Sequence, residues 1–142
     1  EVLQTDLDTA WNRNVFLDVE RAGTHELYVT DDNCQNGQTE SWYFCGCFVY
    51  FKPLRNWTGF IRDWVHQTGH RGNEQDGLNK ALKARFKTDK AIDFHVLPFD
   101  KFPPGCYSKV HDMPEASMIH ANYIKDHLRK INFFKHKALW HP

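Results

Sequence analysis

Asp6 and Asp8 flank one apolar residue at the end of Val2-Leu3-Gln4-Thr5, a run that reads as a buried strand. Alternate side chains of a strand share a face, so this spacing sends both acids the same way. Two hard oxygen ligands on one side, with Asn12 and Asn14 following in a turn, suit Mn²⁺ or Mg²⁺ and leave positions open for phosphate. The chemistry that fits is neutralisation of a diphosphate leaving group. The same triplet is also what an acid pair supporting a turn looks like, so its meaning depends on the rest of the chain.

Two further segments carry compatible groups. Asn73-Glu74-Gln75-Asp76 places Glu74, Gln75 and Asp76 in the first turn of a helix. Carboxylates there are favoured by the helix dipole, and serve either as caps or as groups facing a sugar. His120 closes the apolar Met118-Ile119 and is followed by Asn122. An imidazole in that place is either a hydrogen-bonded core residue or the third ligand of a cation held by two carboxylates. Lys130 is a point donor able to offset remaining diphosphate charge. Strand ends and the loops after them collect on one edge of an α/β sheet, so the three segments can meet.

The elements that must position these groups alternate along the chain. After the Val2 strand, residues 11–16 read as a turn into a short helix or irregular segment, 26–29 as a strand and 31–38 as a polar loop. The aromatic and β-branched run 42–51 predicts a central strand ended by Pro53. Trp57, Phe60, Ile61, Trp64 and Val65 fall at helical spacing within 56–67, and Leu78, Leu82 and Phe86 form one stripe within 74–86. A short strand over 91–97, a turn at 102–105, a last strand at 118–120 and a closing helix over 125–140 complete the series. That helix is expected to bury Leu128, Ile131, Phe134 and Leu139. Such alternation predicts an α/β architecture with a mixed sheet flanked by helices. At 142 residues with 41% hydrophobic content, residues 1–142 are expected to form a single domain.

Lysine plus arginine balances aspartate plus glutamate at 18 each, so no net field draws the chain to nucleic acid or a membrane. His127, His136 and His141 stand at no zinc-finger spacing, and the basic residues around them read as a solvated helix face. No window approaches the roughly 18 consecutive apolar residues of a membrane helix. Cys34, Cys45, Cys47 and Cys106 would permit disulfides in an oxidising compartment. Cys45-Gly46-Cys47 fits no zinc spacing and reads either as partners for Cys34 or Cys106 or as small buried residues. Asn56-Trp57-Thr58 is an N-glycosylation acceptor triplet.

Six blocks carry a resemblance. They are Val2-Leu3-Gln4-Thr5-Asp6-Leu7-Asp8-Thr9-Ala10-Trp11, Phe48-Val49-Tyr50-Phe51-Lys52-Pro53, Glu74-Gln75-Asp76-Gly77-Leu78-Asn79, Phe102-Pro103-Pro104-Gly105, His120-Ala121-Asn122-Tyr123-Ile124 and Lys137-Ala138-Leu139-Trp140. In this order they resemble the nucleotide-diphospho-sugar transferase domain of GT-A type glycosyltransferases, similar to the group of plant cell-wall xylosyl- and arabinosyltransferases. The resemblance implies a GT-A-like mixed sheet and a DxD site in which Asp6, Asp8 and His120 hold Mn²⁺ or Mg²⁺. It implies retaining transfer from a nucleotide-diphosphate sugar to a glycan or protein acceptor. Lys130 and Asn122 would face the nucleotide diphosphate, and Glu74, Gln75 or Asp76 the donor sugar. The family writes Asp-Gln where this chain has Glu74-Gln75, and often Gly where it has Asp126.

The resemblance further implies that this chain is the C-terminal portion of a larger domain whose N-terminal nucleotide-binding strands lie upstream. It also implies a lumenal Golgi glycoprotein, held at the membrane only through an upstream anchor and with no nucleic-acid partner. The alternative is a catalytically inactive carbohydrate- or protein-binding module, with Trp42, Tyr43, Phe44, Trp57 and Trp64 as its contact surface. The joint presence of Asp6, Asp8 and His120 favours the enzyme.

Overall fold

A computed structural model describes residues 1–34, 43–86, 88 and 91–139. The expected loop residues 35–38, together with Trp42, Trp140 and His141, lie outside the described residues. The fold is α/β, with a mixed four-stranded sheet in the order β1 (Val2–Thr5), β4 (Phe44–Phe51), β3 (Leu27–Asp31), β5 (Phe94–Val96). β1 and β3 both run antiparallel to β4, and β5 runs parallel to β3. As the run of β-branched and aromatic residues predicts, β4 is central and every residue in it is buried.

Two apolar layers cover the sheet. On one face, α2 (Thr58–Thr68) and α3 (Glu74–Arg85) pack Phe60, Leu78, Ala81 and Leu82 against Leu27, Val29, Val49 and Phe51. Trp57 and Trp64 join this layer half-buried and donate their indole N–H groups to the carbonyls of Lys52 and Glu74, each at 2.7 Å. Both serve as packing residues of this layer, and Trp64 also borders a surface groove. On the other face, Val15 and Val19 of α1 (Val15–Arg21) pack with Tyr28, Cys45, Cys47, Phe48, Phe102 and Met118.

Helix α3 is fixed tightly because its first turns matter for the site. Asn73 caps it by accepting from the Gln75 N–H at 2.8 Å, and Glu74 and Asp76 lie in its first turn. Gly77 permits the close approach of α2, since a Cβ there would stand 2.1 Å from Thr68 Oγ1. The buried Asn79 amide accepts from the Phe44 N–H and donates to the Phe44 carbonyl, both at 2.8 Å, satisfying a strand end as a neighbouring strand would.

Several expectations need correction. Val2–Thr5 is a strand but an edge strand with exposed ends, because no described strand covers its outer side. Trp11, expected to open a turn, instead ends an unforeseen strand, β2 (Thr9–Trp11), which pairs with β6 (Met118–His120) in a separate two-stranded sheet. The closing helix is shorter than expected, α5 (His127–His136), and it buries Phe134 while Leu128 is 70% exposed. Leu128 sits in the first turn, before α5 meets the Ile119 and Ala121 cluster. Cys45 and Cys47 pair with each other, and Cys34 pairs with Cys106 in the short helix α4 (Gly105–Ser108).

The Cys34–Cys106 bond closes a loop of 72 residues in sequence. Replacing both cysteines by serine is expected to lower stability by about 4 kcal/mol through restored freedom of the unfolded chain, read as a lower denaturant midpoint.

Candidate functional site

Asp6 and Asp8 come together through a turn, not through strand alternation. β1 ends at Thr5, and the turn to β2 closes when Thr9 Oγ1 donates to the Asp6 carbonyl at 2.7 Å. Leu7, at the apex, points fully into solvent. The β2–β6 pairing sets Thr9 opposite His120, and the Ala121 N–H donates to the Asp8 carbonyl at 2.9 Å. His120 Nε2 then lies 3.3 Å from Asp6 Oδ2 and 3.1 Å from Asp8 Oδ1. The imidazole is only 4% exposed.

Lys130, on α5, completes this cluster with Nζ 2.5 Å from Asp8 Oδ2. An ammonium has three donors, so one bond to Asp8 leaves two for other oxygens. Burial by itself pushes the Asp8 carboxyl up, but the Lys130 hydrogen bond and the charges of His120 and Lys130 outweigh it, so its pKa is lowered. Asp8 is therefore held as a carboxylate across the physiological range.

The donor set fits a hard divalent cation. One oxygen of each acid and His120 Nε2 lie within 4.8 Å of one another. Neighbouring ligands of an octahedral ion with bonds near 2.1 Å stand about 3.0 Å apart, close to the His120–Asp8 and His120–Asp6 separations. Two carboxylates and one imidazole match Mn²⁺ or Mg²⁺ with open positions.

A second polar cluster adjoins the first, and its centre is a residue the sequence reading missed. Asp32, 8% exposed, accepts from Gln75 Nε2 at 2.8 Å, Asn122 Nδ2 at 3.0 Å and Tyr123 Oη at 3.4 Å. Burial, with the nearby charge and hydrogen bond of Asp32, raises the Tyr123 phenol pKa, so Tyr123 remains a donor. Tyr123 holds φ at +62°, a backbone strain of the kind that collects at functional sites. A signal was present in the Asp31-Asp32 doublet at the end of an apolar strand.

The first turn of α3 reaches this cluster through one residue. A register shift after Val29 pairs Thr30 with Cys45, leaving Gly46, Cys47 and Phe48 bulged away from β3. Gln75 Oε1 accepts the Gly46 N–H at 3.0 Å, so both ends of the Gln75 amide are engaged. Asp76 accepts from Tyr43 Oη at 2.5 Å, which raises the Tyr43 phenol pKa, and Tyr43 in turn faces Gln75 and Asp32. Glu74 is exposed and lines a groove with Val2, Gln4, Phe51 and Trp64. The structure thus joins Asp6, Asp8, His120 and Lys130 in one cluster and Gln75 with Asn122 in the next, with Glu74 and Asp76 at the margin.

Residues 1–134 match the family model described as nucleotide-diphospho-sugar transferase. Among curated proteins, the chain is similar to UDP-D-xylose:L-fucose alpha-1,3-D-xylosyltransferase 1 of Arabidopsis thaliana, 28% identical over 169 aligned residues, covering 98% of this chain and 45% of that protein. A second Arabidopsis UDP-D-xylose:L-fucose alpha-1,3-D-xylosyltransferase is 27% identical, with 98% of this chain and 44% of that protein covered. The Arabidopsis MGP4 enzyme of the same description is 26% identical with the same coverage. The chain spans somewhat under half the length of these relatives. No solved structure matches it significantly.

Because the Asp8 pKa is lowered in the fold, its pairing with Lys130 favours folding fully above the ordinary value of 3.8 and is lost as pH falls through the native value. Lys130→Met is expected to be less stable than the parent by about 1 kcal/mol at neutral pH, with the gap closing in acid, measured by denaturant unfolding at both conditions. Asp32→Ala and Gln75→Ala are expected to couple by about 0.5–3 kcal/mol in a double-mutant cycle, since each removes one hydrogen-bond partner of the other.

Proposed function

The chain belongs to the nucleotide-diphospho-sugar transferase family, and from that premise we propose that the complete protein is a metal-dependent retaining glycosyltransferase. It would move a sugar from a nucleotide-diphosphate sugar to a glycan or protein acceptor. The observation that carries this reading is the convergence of Asp6, Asp8, His120 Nε2 and Lys130 Nζ at one place.

Asp6, Asp8 and His120 would hold Mn²⁺ or Mg²⁺. When bound, the ion supplies charge stabilisation to the departing diphosphate. Lys130 adds a positive charge whose position Asp8 fixes, so the donors are set before charge develops. Asn122, anchored on Asp32, borders the diphosphate side. Gln75 acts by fixing Asp32 and the Gly46 bulge, while Glu74 and Asp76 take the donor-sugar margin. In a retaining transfer the bond from the anomeric carbon to the phosphate oxygen breaks as the acceptor oxygen bonds on the same face. The departing phosphate oxygen takes the acceptor proton, so no strongly basic side chain is required.

UDP-D-xylose and an L-fucose acceptor, printed in the names of the relatives, are the first donor and acceptor to test. The acceptor triplet at Asn56 and the disulfides suit a lumenal compartment, and the family resemblance is what suggests the Golgi and an anchor. Among the described residues no helix is long and apolar enough to cross a membrane. Residues 1–142 are read as one domain-forming piece of the whole.

The full-length protein and its Asp8→Ala variant are to be titrated with UDP by calorimetry, with and without Mn²⁺. Binding is expected only with the ion, weakened at least tenfold in the variant. Absence of binding by folded full-length protein would sink the enzyme reading, and binding without turnover on any acceptor would favour the inactive module.

A further inference from the structure

Cys45, Cys47 and the second ring nitrogen of His120 form a group that neither the diphosphate chemistry nor the fold requires. Cys45 and Cys47 are 2% and 3% exposed. Cys45 Sγ lies 3.6 Å from His120 Nδ1, the nitrogen that faces away from Asp6 and Asp8. The two sulfurs and a His120 ring nitrogen lie within 4.8 Å of one another.

A structural staple does not account for this pair. A bond between residues separated by 2 in sequence closes so small a loop that it constrains the unfolded chain little, whereas the bond separated by 72 constrains it greatly. Simple filling of space does not account for it either. Cys45, paired with Thr30, and Cys47, in the bulge, lie on the face of Tyr28, Phe48, Phe102 and Met118, where apolar side chains would fill the volume without reactive sulfur.

We propose that in its dithiol form this group is a second cation site, for a soft d¹⁰ ion such as Zn²⁺, ligated by Cys45 Sγ, Cys47 Sγ and His120 Nδ1. Zinc bonds of about 2.3 Å to sulfur and 2.0–2.1 Å to nitrogen, at tetrahedral angles, put S and N about 3.5–3.6 Å apart. The Cys45–His120 separation already has that value. Two thiolates neutralise a divalent ion, so the buried site carries no net charge. Thr30 Oγ1, 3.6 Å from Cys47 Sγ, can donate to the second thiolate. The surrounding apolar side chains favour sulfur ligation of a soft ion over the oxygen ligation that suits Mn²⁺, and the fourth tetrahedral position is left to one water.

Opening the site is a two-electron step. A dithiol reductant becomes a disulfide, and its two electrons and two protons pass to Cys45 and Cys47. The ion then displaces both thiol protons into solvent. The neutral imidazole carries one proton, so an ion on Nδ1 leaves the hydrogen on Nε2, facing Asp8, and opposes any cation there. The soft site itself needs neither Asp6 nor Asp8, and so stands or falls independently of the proposed transferase activity.

The full-length protein is to be reduced with a dithiol, freed of it by gel filtration and titrated with Cd²⁺, following the ultraviolet thiolate-to-metal charge-transfer band. One equivalent is expected at this site in reduced parent protein and in Asp8→Ala, and none in the oxidised parent; a reduced Cys34→Ser/Cys106→Ser protein is expected to keep it, which separates it from the thiols of the other disulfide. Cys45→Ser and Cys47→Ser are expected to lose the band, and His120→Gln to bind at least tenfold more weakly. X-ray absorption at the zinc edge of reduced, Zn²⁺-loaded Cys34→Ser/Cys106→Ser protein reads the ligands with the site intact, two sulfurs and at least one nitrogen being expected. One equivalent of Zn²⁺ is also expected to weaken Mn²⁺ binding more in the reduced parent than in the oxidised form, where Zn²⁺ acts only by competing directly at Asp6, Asp8 and His120. No band in reduced parent protein, a band that survives when Cys45→Ser is added to the folded Cys34→Ser/Cys106→Ser protein, or a sulfur count other than two in the Cys34→Ser/Cys106→Ser protein itself would overturn the proposal.

Discussion

The imidazole of His120 is the constraint on which the rest of the site depends. It is nearly inaccessible to solvent, with two carboxylates on one nitrogen and a sulfur on the other. A neutral ring offers one donor and one acceptor, so whatever occupies one face decides the state of the other. Three elements meet at this ring: the β1–β2 turn brings the acids, β6 brings the histidine and β4, just before its bulge, brings Cys45. The pairing of Thr9 with His120 fixes the first two to each other. A slip of one residue in that pairing would turn His120 to the opposite face and dismantle the cluster.

Asp32 plays the complementary part on the neighbouring wall. A buried carboxylate is tolerable only when donors satisfy it, and here they come from α3 and from the segment after β6. The Cys34–Cys106 bond ties the loop that carries Asp32 to α4, and Gly105 at the start of α4 presses against Asn122. A Cβ on Gly105 would stand 1.6 Å from Asn122 Oδ1 and 2.6 Å from the His120 carbonyl. Covalent linkage, absence of a side chain and a buried charge therefore hold the same three segments in register.

Much of this was legible in the chain. β4, α2 and α3 announce themselves by long runs of one periodicity, and the acids with His120 by residue type and spacing. What could not be read depends on long-range partners. Asp6 and Asp8 share a side because Thr9 closes a turn, a hydrogen bond that alternation does not encode. β2 is three residues long and exists only because β6 lies beside it. Asp32 looks like any polar loop residue until Gln75, 43 positions away, donates to it. The Cys45–Cys47 pairing was concealed by its own shortness, since neighbouring cysteines are usually assigned distant partners. Leu128 fits the apolar period of α5, but a period does not say where along a helix the core begins.

Asp126 shows how local chemistry can absorb a departure from the family pattern. A glycine at this position would place no charge near a diphosphate, and an aspartate there looks adverse from the sequence alone. In the fold Asp126 is the N-cap of α5, and its Oδ1 accepts from the Arg129 N–H at 2.9 Å. Its carboxylate is thus turned onto the helix terminus, where the dipole favours a negative charge and backbone donors neutralise part of it. The Asp126 carbonyl accepts from the Lys130 N–H at 3.0 Å, so the same residue starts the turn that carries Lys130 to Asp8. The substitution exchanges backbone freedom for a defined helix start, and the ammonium that faces Asp8 is positioned by it.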